Sequence, residues 1–245
     1  MQNNKVINTV KISAAVFGLV CLSGGTALAE DGPEASTLAK DGLSFSASLT
    51  GATEYVWRGV EQSGGDPAIF GSVSAAYNGF YAGVGAENVD FLGINTEYDM
   101  WAGWGGDIGS NVRLDLTVVR YGYIDAPDGI DLDTTELKAG LSTTLGKASV
   151  GAVVHWTNDF FATEESATYL EFNGSIPVAK KLSASGTLAR QFLDDDDASY
   201  MTWNAGLTYA VADNLGLDVR YIDTDIKNSG GTADSRIVAG FTASF

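Results

Sequence analysis

Apolar and polar residues alternate along most of the chain from Leu43 onward. In the first such segment Leu43, Phe45, Ala47 and Leu49 share one side, and the residues between them are serines. A period of two places the two sets on opposite faces of a β-strand. The pattern recurs to the C-terminus and predicts twelve strands, near 43–57, 67–77, 80–90, 95–105, 112–122, 134–145, 148–158, 167–176, 182–192, 199–211, 215–224 and 236–245.

The links between the predicted strands alternate in kind. Tight, turn-rich links lie at 78–79, 105–111, 146–147, 177–181 and 212–214. Mostly longer, acidic links lie at 58–66, 125–133, 158–166, 194–199 and 224–235. An up-and-down antiparallel barrel with short turns at one end and longer loops at the other requires this alternation. Both chain termini are then expected at the end with the short turns, on the periplasmic side.

The aromatic residues favour a membrane barrel over a soluble β-sandwich, whose strands alternate in the same way. Aromatic rings suit a membrane–water interface. They collect near the ends of the predicted strands, at Tyr55, Trp57, Tyr77, Phe80, Tyr81, Trp156, Tyr209 and Tyr221. The last predicted strand ends in Phe245, which we expect the barrel assembly machinery to recognise. The predicted fold is an all-β, transmembrane, antiparallel up-and-down β-barrel of about twelve strands, over residues 43–245.

The N-terminal residues predict export. Lys5 and Lys11 precede or begin an apolar run that is too short for a membrane-spanning helix, and Ala27-Leu28-Ala29 supplies the small residues of a cleavage site. We predict a signal peptide over 1–29, cleaved between Ala29 and Glu30. Residues 30–42 are polar and do not alternate, so we predict a flexible periplasmic extension. The predicted location is the outer membrane of a Gram-negative bacterium.

The charge and the scarce His and Cys residues limit the function classes. Without residues 1–29, which hold two Lys and no acid, 12 basic and 31 acidic residues remain, a net charge of −19. This acidity argues against nucleic-acid binding. Cys21 lies in the predicted signal peptide, and His155 is the single histidine, so we predict no metal site and no cofactor. The sequence His155-Trp156-Thr157 lacks the serine of a His-x-Ser pair, and we predict no enzymatic activity.

The polar face of the strands is expected to line the lumen. It carries eight acids and four bases, which favours passage of cationic or neutral solutes. The predicted pore-lining residues are Glu54, Arg58, Glu87, Glu97, Asp99, Arg113, Asp115, Glu136, Lys138, Glu171, Asp218 and Arg220. Three opposite-charge pairs stand two residues apart: Arg113/Asp115, Glu136/Lys138 and Asp218/Arg220. Such pairs, about 7 Å apart, either form a charged constriction or only neutralise one another.

Residues 54–91 resemble the TorF-type family of outer-membrane porins. The segments that carry the resemblance are Glu54-Tyr55-Val56-Trp57-Arg58-Gly59, Gln62, Asp66-Pro67-Ala68, Gly79-Phe80-Tyr81-Ala82-Gly83 and Asn88-Val89-Asp90-Phe91. Glu61 stands where that family usually has Ser, and Ser63 where it usually has Thr. The resemblance implies an outer-membrane barrel that passes small solutes.

These observations predict a porin-like channel for passive diffusion of small hydrophilic solutes. One alternative is a closed structural or adhesive barrel whose acidic loops bind partners or divalent cations; another is a soluble periplasmic β-protein. The expected partners are outer-membrane lipid and lipopolysaccharide, the barrel assembly machinery through Phe245, and small polar solutes. The sequence leaves the oligomeric state open.

Overall fold

A computed structural model describes residues 42–163, 165–227 and 229–245. Within them fourteen strands occur: β1 Leu43–Ala52, β2 Val56–Trp57, β3 Val60–Glu61, β4 Ala68–Tyr77, β5 Phe80–Phe91, β6 Ile94–Ile108, β7 Val112–Ile124, β8 Thr134–Leu145, β9 Ala148–Thr157, β10 Ala167–Ala179, β11 Leu182–Leu193, β12 Tyr200–Ala212, β13 Leu215–Thr224 and β14 Arg236–Ser244. The predicted signal peptide, its cleavage site at Ala29 and Glu30, and residues 30–41 of the predicted extension lie outside the described residues.

Twelve strands form one closed antiparallel barrel, which confirms the predicted fold class. From β4 to β14 each strand pairs with the next one in the chain, and β1 closes the ring by pairing with both β4 and β14. At the closure Phe245 extends the pairing, because its amide donates to the Ala47 carbonyl at 2.9 Å. Closure leaves no barrel strand with an unpaired edge, which is the condition for a sheet in lipid.

The two ends of the barrel differ. One end, here called the turn end, carries short connections at 78–79, 109–111, 146–147, 180–181 and 213–214 together with the start of β1 and the end of β14. The other, the loop end, carries the connections 53–67, 125–133, 158–166, 194–199 and 225–235 and the two-residue turn 92–93. This places both ends of the barrel sequence at the turn end, as predicted.

The outward side of the strands is apolar and exposed. Alternate residues such as Phe45, Leu188 and Phe241 expose half or more of their surface, at 76%, 51% and 50%. A soluble protein rarely exposes a continuous apolar surface of this extent. Five of the aromatics predicted at strand ends also face outward: Tyr77, Phe80, Trp156, Tyr209 and Tyr221. Among the described residues, no helix has the length and apolar character needed to span a membrane.

The first predicted strand, 43–57, is wrong at its end. β1 stops at Ala52, and the chain turns into the lumen to form a small hairpin of β2 and β3. Tyr55 and Trp57, which we predicted to face lipid, are buried in the lumen. Tyr81 was also predicted at the interface, but it faces inward and donates to Asp115 at 2.8 Å.

Residues 54–62, here called the inner hairpin, turn back at Arg58 and Gly59. Both residues have positive φ, 43° and 85°, which is the requirement of the two-residue type I′ turn. The backbone amide of Gln62 donates a hydrogen bond to the Tyr55 carbonyl at 2.8 Å and so joins the two ends of the hairpin. The backbone amide of Glu61 donates to the Thr232 carbonyl in the connection before β14. The hairpin is therefore folded on itself and attached to the barrel.

Candidate functional site in the barrel lumen

The inner hairpin inserts the side chain of Arg58 into the lumen wall. Its guanidinium donates twice to the Glu136 carboxylate, Nη1 to Oε1 at 3.0 Å and Nη2 to Oε2 at 2.7 Å, and Nη1 also donates to Gln191 Oε1 at 3.0 Å. The guanidinium carbon lies 4.1 Å from the ring centre of Trp57 and 4.2 Å from that of Tyr169. Arg58 thus makes a bidentate ion pair with Glu136 and cation–π contacts with Trp57 and Tyr169.

The charge of Arg58 is stabilised despite its burial. Removal from water by itself lowers the pKa of the guanidinium, but the adjacent Glu136 carboxylate together with Tyr121 and Tyr169 outweighs this effect and keeps the pKa of Arg58 above its ordinary value. The pair is nearly inaccessible, since the two side chains retain 1% and 2% of their exposure. A buried charge without a partner is costly, so each member of this pair depends on the other.

The wall residues that receive Arg58 are held by the barrel itself. Glu136 Oε2 lies 3.1 Å from His155 Nδ1 and accepts from the Tyr121 hydroxyl at 3.3 Å. The amide nitrogen of Gln191 donates to backbone carbonyls at Thr168 and Phe192, which directs its oxygen toward Arg58. These contacts come from β7, β9, β10 and β11. The receptor for Arg58 is therefore part of the barrel.

Aromatic residues of a second connection pack on the hairpin. Phe160 and Phe161, in the 158–166 connection, are both buried. Phe160 stacks on Trp57 with ring centres 6.4 Å apart, and Phe161 meets Trp57 edge-on at 5.5 Å. Tyr121 on β7 meets both Trp57 and Phe161. The inner hairpin and this connection together fill the part of the lumen next to the loop end.

Three carboxylates gather on β5 and β6 beside the hairpin. One carboxylate oxygen from each of Glu87, Glu97 and Asp99 lies within 4.8 Å of the other two, and all three residues are buried. Glu97 accepts from the hydroxyls of Tyr55 at 3.2 Å and Tyr123 at 3.1 Å. Among the described residues this is the group with the geometry to hold a cation, a possibility that the sequence did not predict.

The lumen is more open toward the turn end. On β1, β4, β9, β10 and β11 the inward-facing residues there are small and polar and keep partial exposure: Ser46, Ser72, Ser149, Asn173, Ser185 and Thr187. Toward the same end Tyr81, Thr208 and Asp218 are buried on the other strands. On β9 the change is visible along one strand, because Ser149 and Gly151 are partly exposed while His155 and Thr157 are buried. The lumen is therefore a polar recess open at the turn end and filled near the loop end.

The three predicted charge pairs have different outcomes. Asp218 and Arg220 do pair, with Arg220 Nη2 to Asp218 Oδ2 at 3.1 Å, and Arg220 also donates to Asn204 and Ser185. Arg113 lies 4.0 Å from Asp107 instead.

Asp115, the residue predicted to pair with Arg113, accepts from Tyr81 and Thr117. Glu136 pairs with Arg58, and the Lys138 Nζ is buried without a hydrogen-bond acceptor among the described residues. Two of the three pairings are therefore wrong in partner.

Eleven of the twelve predicted pore-lining residues lie in the lumen, ten on barrel strands and Arg58 on the inner hairpin. The ten are Glu87, Glu97, Asp99, Arg113, Asp115, Glu136, Lys138, Glu171, Asp218 and Arg220. Glu54 lies at the loop end, where it bonds to Arg236.

Sequence reasoning missed Tyr169, Gln191 and Trp57 as parts of this site. A usable signal existed for the first two, since Tyr169 is in phase with the predicted lumen residue Glu171, and Gln191 is out of phase with the apolar Leu188. For Trp57 the strand pattern continued without a break, so alternation pointed to the wrong face.

A closed twelve-stranded barrel with an apolar exterior and a polar interior is also the fold of solved outer-membrane porins. The KdgM porin in complex with disordered oligogalacturonate is 11% identical, with 82% of this chain and 99% of that chain covered and a TM-score of 0.59. The NanC porin is 8% identical, covering 81% and 98%, with a TM-score of 0.57. The COG4313 outer membrane channel from Pseudomonas putida F1 is 12% identical, covering 87% and 99%, with a TM-score of 0.51.

The chain belongs to the family described as "Bacterial protein of unknown function (Gcw_chp)", whose model matches residues 36–244. No curated protein matches the sequence. At these levels of identity the solved structures establish the fold of the chain.

Proposed function

We propose that the protein is a porin-like channel in the outer membrane of a Gram-negative bacterium, for passive diffusion of small hydrophilic solutes. The apolar outer surface matches the lipid-facing band of such barrels, and the closed hydrogen bonding meets the requirement of the hydrocarbon region. The observation that carries the proposal is the polar, partly exposed recess that enters the barrel from the turn end. A barrel with a purely structural role has no need of such a recess.

The charge of the lumen supports a preference for cationic or neutral solutes. Of the predicted lumen residues, seven acids and three bases lie on the barrel strands, together with Arg58 of the hairpin. An excess of carboxylates raises the local concentration of cations and lowers that of anions. KdgM was solved with oligogalacturonate, an anionic sugar. The lumen charge here argues against a ligand of that charge for this chain.

A second candidate is a closed barrel with a structural or adhesive role. The filling of the loop-end part of the lumen by the inner hairpin and Phe160 favours it. Its binding surface would be the exposed acidic connections, such as Asp195–Asp197, which suit divalent cations or basic partners. The two candidates differ in whether the inner hairpin can leave the lumen.

Single-channel recording in planar bilayers separates the candidates. We expect the wild-type protein to open briefly, and Arg58→Ala to open for longer, because the variant loses the ion pair that docks the inner hairpin. Across a salt gradient the reversal potential should indicate cation preference. If both proteins leave the bilayer sealed, the closed barrel is correct; an anion-selective reversal potential would refute the charge argument alone.

We further propose contacts with lipopolysaccharide and with the barrel assembly machinery. Arg120 and Arg190 lie on the outward side toward the loop end, where lipopolysaccharide phosphates are found. The Phe245 side chain is exposed and free to be recognised. Phe245→Ala should reduce the assembled, heat-modifiable protein in cells, while unfolding of the refolded barrel stays unchanged. The likeness to TorF-type porins remains a prediction for function, and the N-terminal motif of that likeness forms the inner hairpin.

A further inference from the structure

The receptor for Arg58 has the features of a binding site for a small planar cation. Glu136 offers both carboxylate oxygens, Gln191 offers an amide oxygen, and Tyr169 offers a ring face at 4.2 Å. All three belong to barrel strands and are buried. The inner hairpin contributes only the ligand, Arg58, and one of the two rings, Trp57.

We propose that Glu136, Gln191 and Tyr169 form a guanidinium-binding site on the lumen wall. Arg58 fills this site as an internal ligand, and solutes that carry a guanidinium or amidinium group compete with it. When such a solute binds, the inner hairpin loses its anchor and leaves the lumen. The inference deepens the proposed channel by naming a solute class, and it rests on that function only for the passage of the solute.

The site is arranged for a guanidinium rather than an ammonium ion. A guanidinium is planar and presents parallel N–H groups that match the two oxygens of a carboxylate, while its flat face stacks on an aromatic ring. Here Nη1 and Nη2 each meet one oxygen of Glu136, and the same group lies against Tyr169. An ammonium ion is a compact point charge and can satisfy only part of this arrangement.

The site is expected to persist when the hairpin leaves. Glu136 keeps His155 and Tyr121 as partners, and the amide of Gln191 keeps its two backbone carbonyls. None of these contacts involves the inner hairpin. Because Glu136 and Gln191 remain oriented by these partners, an external cation would find the binding geometry already formed.

Arg58 is a tethered ligand that lies on a strained turn. Arg58 has a φ of 43°, in the left-handed region that residues other than Gly, Asn and Asp rarely adopt. A tethered ligand competes with an effective concentration in the millimolar range. An external guanidinium therefore needs millimolar concentrations against the wild-type protein and lower ones when Arg58 is removed.

The binding experiment uses the full chain in detergent micelles, with guanidinium chloride as the probe and ammonium chloride at equal concentration as the control. Three proteins are compared by the thermal unfolding midpoint: wild type, Arg58→Ala and Arg58→Ala/Glu136→Gln. We expect guanidinium, but not ammonium, to raise the midpoint of Arg58→Ala at submillimolar concentration. Loss of the charged acceptor in the double variant should weaken binding about tenfold or more.

A second measurement uses a protein that keeps Arg58, so that a folding defect of the variant does not decide the outcome. A thiol is placed in the inner hairpin by Val60→Cys, with Cys21→Ser, and its labelling by a maleimide is followed in micelles. Millimolar guanidinium should accelerate labelling, and ammonium should not. Equal effects of the two salts, or no effect in either experiment, would overturn the site.

The two proposals fail in distinguishable ways. Guanidinium binding by Arg58→Ala without conductance in any variant would refute the channel and leave the site intact. Conductance without selective guanidinium binding would refute the site and leave the channel intact.

Discussion

At the scale of single residues, the pair of Arg58 and Glu136 determines where the inner hairpin lies. Both side chains are almost fully buried, and together they form two hydrogen bonds of 3.0 and 2.7 Å. Removing one member of a buried pair leaves the other charge uncompensated and costs about 3–5 kcal/mol. Because the hairpin is part of a connection and not of a barrel strand, we expect this cost to appear as undocking of the hairpin, with the barrel still folded.

Arg58→Ala should therefore expose the hairpin to reagents in the lumen. With Cys21→Ser and Val60→Cys, the chain carries one thiol at a position that is buried in the docked hairpin. We expect maleimide labelling in the Arg58→Ala background to be at least about tenfold faster, since about 1.4 kcal/mol corresponds to a factor of ten. Arg220→Ala is the matched control, because it removes another lumen arginine, whose hydrogen bonds go to Asp218, Asn204 and Ser185 on the barrel strands. Equal acceleration by both variants would show that lumen charge, rather than the docking pair, controls access.

The sequence could predict which of these residues face the lumen but not which of them meet. Glu136 and Lys138 are two residues apart on one strand face, so proximity along the chain suggested their pairing. The actual partner of Glu136 lies 78 residues away, and Gln191 lies 133 residues from Arg58. A contact across a lumen depends on the closure of the whole barrel, which alternation in a single segment does not contain.

At the scale of elements, the inner hairpin is the main departure from the predicted strands. Tyr55 and Trp57 continue the period of two from β1, so the pattern extends past the point where the barrel strand ends. The turn at Arg58 and Gly59 has the backbone of a type I′ turn, but only Gly59 is a residue that this turn favours. A weak turn signal within a strong alternating pattern explains why the segment was predicted as strand.

Gly59 offers a test of the docked geometry. A Cβ at this position would lie 2.2 Å from Thr224 Cγ2 and 2.5 Å from Thr202 Oγ1, so Gly59→Ala collides with the barrel wall. Gly65→Ala is the matched control, because Gly65 has nearly the same φ of 82° but nothing within 4 Å. Both variants carry the backbone cost of about 1–2 kcal/mol, and only Gly59→Ala adds the collision.

Hydrogen exchange measured by mass spectrometry distinguishes the two glycine variants. We expect faster exchange over residues 54–62 in Gly59→Ala, whereas Gly65→Ala should keep the wild-type protection of this segment. Unchanged protection in Gly59→Ala would mean that the hairpin tip does not pack against β12 and β13.

At the scale of the whole molecule, the barrel could be predicted almost completely. Period-two alternation assigns each residue a face, alternating connection lengths assign each strand a direction, and an even number of strands closes the ring. All twelve barrel strands coincide with the predicted ones to within a few residues, apart from the end of the first. The filling of the lumen could not be predicted, because the connections that enter it have no period that shows where they fold.

The two faces of one strand should lose different amounts of stability with the same substitution. Leu188 lies near the middle of β11 and faces outward with 51% exposure, and its neighbour Thr187 faces the polar lumen. In lipid vesicles we expect Leu188→Arg to lower the free energy of unfolding by about 2–4 kcal/mol, the cost of an arginine at the middle of a membrane barrel. Thr187→Arg should change it by less than about 1 kcal/mol, because its charge stays in a hydrated lumen. Urea titration of both variants measures the difference; equal losses would mean that the apolar surface does not face lipid, and the soluble periplasmic protein would then be the better interpretation.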